Sequence, residues 1–216
     1  MKQVFEGVWR KNDDFYTRNP VPGEKVYGEK LIKEEDEEYR RWDPKRSKLA
    51  AALKNGLEDF PIESDDKVLY LGAAQGTTPS HISDVLVDGF VYLVEFSERA
   101  MRDLLGVCEE RKNTAPILAD ARKPKDYGWV EKVDVVYEDV AQPDQVEILK
   151  RNAKYFLRDG GLAVIAVKAR ATDVAEEPKK IYEKAKKEME EEFEVLEFLE
   201  LDPWEKDHCL IVARKN

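Results

Sequence analysis

From residue 67 onward, short apolar runs alternate with amphipathic segments. Five runs have the length of strands and are rich in β-branched and aromatic residues: KVLYLG, FVYLVEF, APILAD, VDVVYEDV and GLAVIAVKA. Four segments carry apolar residues at helical spacing: TTPSHISDVL, ERAMRDLLGVCEER, DQVEILKRNAKYFL and EPKKIYEKAKKEME. Continuous apolar strands that are joined by helices predict a parallel sheet covered on both faces.

The chain ends with two more candidate strands, FEVLEFLEL and HCLIVAR. The connection between them, DPWEKD, is too short to contain a crossover helix. Parallel strands need a long crossover, whereas antiparallel strands can be joined by a short loop. We therefore expect this last pair to be antiparallel.

The first part of the chain has a different pattern. Residues 1–42 contain short strand-like pieces separated by turn signals, which predicts a small β-rich N-terminal domain. Within them, the acidic stretch IKEEDEEYRRW is expected to be a solvated hairpin edge or a linker. A helical segment, PKRSKLAAALKNGL, then opens a second domain that we place at residues 43–216.

Composition limits the class of protein. Charged residues make up 38% of the 216 positions while Met and Cys are scarce, which is typical of hyperthermophile proteins. Cys108 and Cys209 lack the spacing of metal ligands, so neither a disulfide nor a metal site is expected. The chain has no secretory signal and no run of about 18 uncharged apolar residues, which predicts a cytoplasmic protein without a membrane span.

The net charge of −10 bears on possible partners. A protein that binds nucleic acid on its own does so largely by neutralising phosphates with Lys and Arg. An acidic chain is poorly suited to that task. Any RNA substrate is therefore expected to be delivered by partner molecules.

A glycine-containing turn follows the first strand of the predicted parallel sheet. Gly72 and Gly76 lie in it, where doubly wound sheets bind their ligands. Glycine permits unusual φ angles and a close approach of a ligand to the backbone. Thr77 and Thr78 can cap the next helix or contact the ligand. The spacing Gly-x-x-x-Gly fits a purely structural turn equally well.

Acidic residues end the next three strands. Glu95 follows Gly72 by 23 positions, where dinucleotide-binding folds place a carboxylate on the ribose hydroxyls. Asp120, before Ala121, could accept from an adenine amino group or cap a helix. Glu138 and Asp139 end the fourth strand. Carboxylates near a core cost free energy, so their number here favours a binding site.

The chemistry of the turn favours one cofactor over another. The Gly-x-Gly-x-x-Gly cradle for a diphosphate is missing, and the turn has no basic residue nearby in the sequence. An NAD-linked oxidoreductase, the first alternative, would need that cradle. A nucleoside without phosphates fits better, and S-adenosylmethionine is such a cofactor. Seven strands with an antiparallel last pair also resemble the α/β class I S-adenosylmethionine-dependent methyltransferase fold, a Rossmann-like sheet.

Several stretches narrow the resemblance to one family. YLGAAQGTTPSHISD, VYLVEFSERAMRDL, VDVVYEDVAQPDQ and NAKYFLRDGG resemble fibrillarin in its archaeal form, and the likeness covers essentially the whole chain. The blocks DVAQPDQ and GTT-x-SH-x-SD are the most specific. Gln75 stands where many relatives have Ser, and Lys206 where Arg is common. Gln75 could alter the contacts between the loop and the cofactor.

The resemblance implies guide-directed 2′-O-methylation of ribose in rRNA and tRNA by the catalytic subunit of a box C/D ribonucleoprotein. It implies three partners: a Nop-domain scaffold protein, a kink-turn-binding protein and the guide RNA. The family's catalytic tetrad maps onto Lys48, Asp139, Lys168 and His208. The cofactor residues expected from the resemblance and from the strand ends are Gly72, Thr77, Thr78, Glu95, Phe96, Asp120, Ala121, Asp139, Val140, Ala141 and Gln142.

The tetrad also makes chemical sense from its positions. Asp139 and Lys168 end neighbouring strands, where a cation beside a ribose hydroxyl lowers the pKa of that hydroxyl. Lys48 adds a second charge, and His208 could orient the nucleotide or relay a proton. Lys168 could instead only extend its ammonium to solvent, and His208 could only cap a strand. We expect His81 to serve packing or capping.

Two other functions remain open at this point. A protein methyltransferase acting on a glutamine or isoaspartate side chain would bind the cofactor in the same way. A ribonucleoprotein scaffold without catalysis would have lost the tetrad residues, whereas all of them are present. Which residue accepts the proton stays open.

Overall fold

Twelve strands and six α-helices make up the computed structural model, which describes residues 1–216. The strands are β1 (Lys2–Phe5), β2 (Val8–Lys11), β3 (Asp14–Arg18), β4 (Leu31–Glu34), β5 (Glu37–Trp42), β6 (Lys67–Leu71), β7 (Phe90–Glu95), β8 (Thr114–Leu118), β9 (Val133–Glu138), β10 (Leu157–Lys168), β11 (Phe193–Glu200) and β12 (His208–Lys215). The helices are α1 (Lys48–Lys54), α2 (Thr77–Val85), α3 (Glu98–Glu109), α4 (Gln145–Phe156), α5 (Ala169–Thr172) and α6 (Pro178–Glu190).

The larger sheet has seven strands in the order β11-β12-β10-β9-β6-β7-β8. Strands β6 to β10 run parallel to their neighbours among themselves, and β12 runs antiparallel to both β10 and β11. The predicted parallel sheet and the predicted antiparallel last pair are therefore both confirmed. The order reverses at β6, so the carboxyl ends of β6 and β9 adjoin at the switch point where ligands bind in such sheets.

Both faces of this sheet are buried, which explains why the central positions of its parallel strands are mostly apolar on both sides. Along β6, Tyr70 faces one apolar cluster and its neighbours Leu69 and Leu71 face the other. The first cluster includes residues of α1, α2 and α3, and the second includes residues of α4 and α6. Helices on both faces are the usual cover of a parallel sheet. None of the helices combines the length and the apolar character that crossing a membrane requires.

The N-terminal residues form a separate five-stranded antiparallel sheet in the order β1-β2-β3-β5-β4. The prediction for IKEEDEEYRRW was wrong in part, because only β4 is an edge and β5 lies between two strands. Arg40 and Trp42 on β5 are buried, since one face of this sheet packs on the larger domain. The Arg40 guanidinium pairs with Glu29 and with Asp84 of α2, each at 2.6 Å. The charge run therefore contains three buried, inward-facing side chains, Glu38, Arg40 and Trp42.

His81 joins the two sheets and has the packing role predicted for it. Its ring stacks on Trp42 with 4.8 Å between ring centroids, and its nitrogens bond Thr17 and Tyr27. Burial lowers the pKa of His81 well below its ordinary value, so the ring is neutral at pH 7. Because one apolar cluster includes residues of both sheets, the division into domains at residues 42 and 43 stays a prediction.

Candidate active site

The turn after β6 is shaped by close backbone packing. Gly72 has a φ of +84°, and a Cβ there would lie 2.9 Å from the carbonyl oxygen of Asp139. The Gly72 N–H donates to Val94 O at 2.9 Å, and the Asp139 N–H donates to Leu71 O at 2.9 Å. The ends of three strands are thus drawn together at this point. Only glycine fits there without strain.

Replacing Gly72 with alanine should destabilise the protein. The left-handed conformation costs about 1–2 kcal/mol for alanine, and overpacking against Asp139 costs about 1–3 kcal/mol more. For a chain of this size each kcal/mol shifts Tm by about 2–4 °C, so calorimetry should show a fall of about 5–15 °C. Gly106→Ala in helix α3 is the matched control, because its Cβ meets nothing within 4 Å and should raise Tm slightly. An unchanged Tm for Gly72→Ala would contradict this explanation.

A cavity of about 290 Å³ opens at the carboxyl ends of the parallel strands. Its wall consists of Gly72, Ala74, Val94, Glu95, Phe96, Ala119, Asp120, Ala121, Arg122, Asp139, Val140, Ala141, Gln142, Ile148 and Lys168. Every residue predicted to bind the cofactor lies in this wall except Thr77 and Thr78. A wider groove of about 820 Å³ lies between the N-terminal sheet and helices α2 and α3, but no predicted site residue lines it.

Glu95 and Phe96 form one side of the cavity. The Glu95 carboxylate accepts from the N–H groups of Ala74 and Ser97, each at 2.7 Å. The bond from Ala74 holds the glycine turn, in which Ala74 has a φ of +48°. Phe96 is 69% exposed at the rim and offers a ring face on which a base can stack. A carboxylate beside an open aromatic face suits the ribose and base of a nucleoside.

Asp120 has a partner that sequence reasoning missed. The Arg122 guanidinium bonds both Asp120 oxygens, with Nη2 at 2.8 Å, and this pairing holds the pKa of the Asp120 carboxyl below its ordinary value. Arg122 therefore joins Lys168 as a basic residue in the cavity wall, although the sequence around the turn contains none. The positive charge of Arg122 is already neutralised by Asp120. A diphosphate would have to compete with that ion pair.

Thr77 and Thr78 begin helix α2, and they are not its cap. The N-cap is Gly76, which has no side chain to offer. The Thr78 hydroxyl is buried and lies 3.0 Å from Ser47 Oγ. The first N–H groups of a helix have no partner within it and form its positive end. A contact between this turn and a ligand stays a prediction.

Asp139 lies between two lysines at the cavity wall. Its Oδ1 atom is 2.9 Å from Lys168 Nζ and 3.3 Å from Lys48 Nζ. Lys168 Nζ also donates to the carbonyl oxygen of Asp139 at 2.7 Å. The Lys168 ammonium is thus held on Asp139, which excludes the alternative that it only extends to solvent.

Four elements bring the tetrad residues together. Lys168 is the last residue of β10, and His208, the first of β12, lies opposite it in the antiparallel register. Lys48 is the first residue of α1, and Ser47 caps that helix by accepting from Ala50 N–H. Asp139 follows β9 directly, next to β10. The sheet register and one helix start therefore fix all of these positions.

His208 is neutral in this setting. Burial lowers its pKa, and the charges of Lys48 and Lys168 act in the same direction. Nδ1 lies 2.6 Å from the carbonyl oxygen of Lys206, an acceptor, so Nδ1 carries the hydrogen. The other ring nitrogen, Nε2, is then a free acceptor. A neutral imidazole of this tautomer can take up a proton.

Glu138 does not belong to the site, although it precedes Asp139. It pairs in register with Leu71 and Ile165, which face the second apolar cluster, and it does not line the cavity. Burial raises its pKa well above the ordinary value. The grouping of Glu138 with the functional carboxylates was wrong, because successive strand residues face opposite sides.

Comparison with known proteins gives a consistent result. The sequence model of the family described as Fibrillarin matches residues 1–216. The chain is 52% identical over 222 residues to the fibrillarin-like rRNA/tRNA 2′-O-methyltransferase of Pyrococcus abyssi, with 100% of this chain and 98% of that protein covered.

Two solved structures are also close to this one. The crystal structure of Aeropyrum pernix fibrillarin with natively bound S-adenosyl-L-methionine has a TM-score of 0.86 and 49% identity, covering 93% of this chain and 88% of that one. The fibrillarin/Nop5p complex has a TM-score of 0.93 and 41% identity, covering 100% of both chains. The fold is the class I S-adenosylmethionine-dependent methyltransferase fold with an added N-terminal sheet. Because the family model and the relatives match the chain along its whole length, the chain belongs to the fibrillarin family.

Proposed function

We propose that this chain transfers a methyl group from S-adenosylmethionine to the 2′-oxygen of ribose in rRNA and tRNA, as the catalytic subunit of a box C/D ribonucleoprotein. The observation that carries this proposal is the Asp139 carboxylate held between Lys48 and Lys168 at the wall of a nucleoside-sized cavity. The Pyrococcus abyssi relative is named for the same activity, which supports the proposal.

The cavity residues fit the cofactor chemically. Glu95 would hold the ribose hydroxyls, Phe96 would stack on adenine, and Asp120 with the backbone of Ala121 would face the adenine edge. The segment 139–142 and the start of α2, Thr77 and Thr78, would hold the methionine portion, whose carboxylate suits a helix N-terminus. Both basic groups in the wall are already paired with carboxylates, Arg122 with Asp120 and Lys168 with Asp139, so the site favours a ligand without phosphates. When bound, the cofactor supplies an electrophilic methyl group.

The protein residues would act on the ribose hydroxyl, which is a poor nucleophile at neutral pH. The leaving thioether is neutral and needs no acid, so the chemical task is to orient the hydroxyl and accept its proton. The ammonium groups of Lys48 and Lys168 stabilise the developing negative charge on the oxygen. Two acceptors are available for the proton, the Asp139 carboxylate and Nε2 of neutral His208.

The partners follow from the charge and from the relatives. An acidic chain gains little affinity for RNA by itself, and a related fibrillarin has been solved in complex with Nop5p. We assign target selection to a guide RNA, held by a Nop-domain scaffold protein and a kink-turn-binding protein. We place this reaction in the cytoplasm, where rRNA and tRNA are processed in a cell without a nucleus.

Reconstitution tests this function. The chain is combined with a Nop-domain protein, a kink-turn-binding protein and a guide RNA, and ribose methylation is mapped on a target RNA that pairs with the guide. We expect methylation at one guide-defined nucleotide and none when the guide is mismatched. Methylation of undirected sites by the isolated chain, or of protein glutamine instead of RNA, would contradict the proposal.

A further inference from the structure

Each oxygen of the Asp139 carboxylate has its own partners. Oδ1 faces the two lysines, at 2.9 Å and 3.3 Å. Oδ2 accepts a hydrogen bond from the Tyr70 hydroxyl at 3.4 Å. Tyr70 is only 1% exposed and does not line the cavity. The phenol therefore contacts the carboxylate from inside the protein and leaves the cavity side free.

The Tyr70 ring is fixed by its surroundings. It stacks on Tyr137 with 4.7 Å between ring centroids and 13° between ring planes, and the two residues are register partners in β6 and β9. Burial raises the pKa of Tyr70 well above its ordinary value, so the hydroxyl keeps its hydrogen and remains a donor. The sheet register thus determines where this donor points.

A hydroxyl contact also holds the start of helix α1. Thr78, the second residue of α2, donates from Oγ1 to Ser47 Oγ at 3.0 Å. Ser47 is the N-cap of α1, and Lys48 follows it directly. The start of α2 therefore holds the start of the helix that presents Lys48 to the carboxylate.

We propose that Tyr70 is a positioning residue that fixes the plane of the Asp139 carboxylate, so that a single oxygen is shared by both lysines. A carboxylate attracted only by two ammonium groups can rotate about its Cβ–Cγ bond until each ammonium meets a different oxygen. The hydrogen bond from Tyr70 to Oδ2 removes that freedom. This role rests on the proposed function, in which Asp139, Lys48 and Lys168 act on the ribose hydroxyl.

The kinetic test compares two single-hydroxyl deletions in the same stack. Tyr70→Phe removes the bond to Asp139, whereas Tyr137→Phe removes a buried hydroxyl that has no hydrogen-bond partner. In the reconstituted complex we expect Tyr70→Phe to lower kcat about tenfold with KM for S-adenosylmethionine and for RNA unchanged. Tyr137→Phe should keep the wild-type kcat. Equal kcat losses in both variants, or no loss in Tyr70→Phe, would overturn the proposal.

A crystal structure of Tyr70→Phe gives a second readout that does not depend on turnover. We expect the Asp139 carboxylate to be rotated or to occupy two orientations, while its backbone and the lysine backbones stay in place. An unchanged single orientation would overturn the positioning role even if the variant were slow. If the wild-type complex fails to methylate RNA, the proposed function fails, and this structural readout still decides the role of Tyr70.

Discussion

Asp139→Ala should abolish methyl transfer, with kcat lowered about 10³-fold or more in single-turnover assays on the reconstituted complex. The variant removes a candidate proton acceptor and also leaves two ammonium groups, which share Oδ1 at 2.9 Å and 3.3 Å, without their counter-charge. Loss of general base catalysis alone costs about 10²–10⁴-fold. The fold should survive, because the backbone bond from Asp139 N–H to Leu71 O remains.

Asp144→Ala is the matched control for this variant. Asp144 is an exposed carboxylate in the same loop, and its side chain makes no capping bond at the start of α4. The Asp144→Ala variant should transfer methyl groups at the wild-type rate. If Asp139→Ala were folded by circular dichroism and turned over as fast as this control, Asp139 would have no part in the chemistry.

Lys168→Ala should lower kcat about 10²-fold while the Kd for S-adenosylmethionine changes less than about threefold. Its ammonium lies on Asp139, and a preorganised cation of this kind is worth more in the transition state than in the ground state. Rapid-quench kinetics measure kcat, and calorimetry measures the Kd for S-adenosylmethionine. A loss of kcat without a matching loss of affinity distinguishes a catalytic role from a cofactor-binding role.

Lys206→Ala serves as the control for Lys168→Ala. Lys206 lies two residues before His208, and its ammonium makes no ion pair. Its carbonyl oxygen, which accepts from His208, is unaffected by the substitution. We expect wild-type rates. A Lys168→Ala enzyme that lost cofactor affinity in proportion to rate would instead mark Lys168 as a binding residue.

The elements of the larger sheet could be predicted because local pattern and tertiary environment agree there. Strands such as β6 and β9 are buried on both faces, so most of their positions are apolar, and the glycine turn marks where β6 ends. The tetrad came from motifs of the family and from the rule that parallel strands end at one edge. Its grouping follows from the strand order and from the start of α1, which only the structure shows.

Other features depend on contacts that a linear pattern does not contain. The pairing of Arg122 with Asp120 is set by loop geometry, and the burial of Arg40 depends on Glu29 and on Asp84 of a distant helix. The charged residues of β5 are predicted to be solvated because the sequence does not show which distant residues will pair with them. The Tyr70 hydroxyl is a similar case, since a tyrosine in an apolar strand is indistinguishable from core packing.

The central claim is that the carboxylate-lined cavity beside Asp139 binds S-adenosylmethionine and not a dinucleotide. Isothermal titration calorimetry on the folded chain, alone and in the assembled complex, tests it most directly. We predict uptake of one S-adenosylmethionine per chain and no heat with NAD. A folded chain that takes up no S-adenosylmethionine in either form, or that binds NAD instead, would contradict the account.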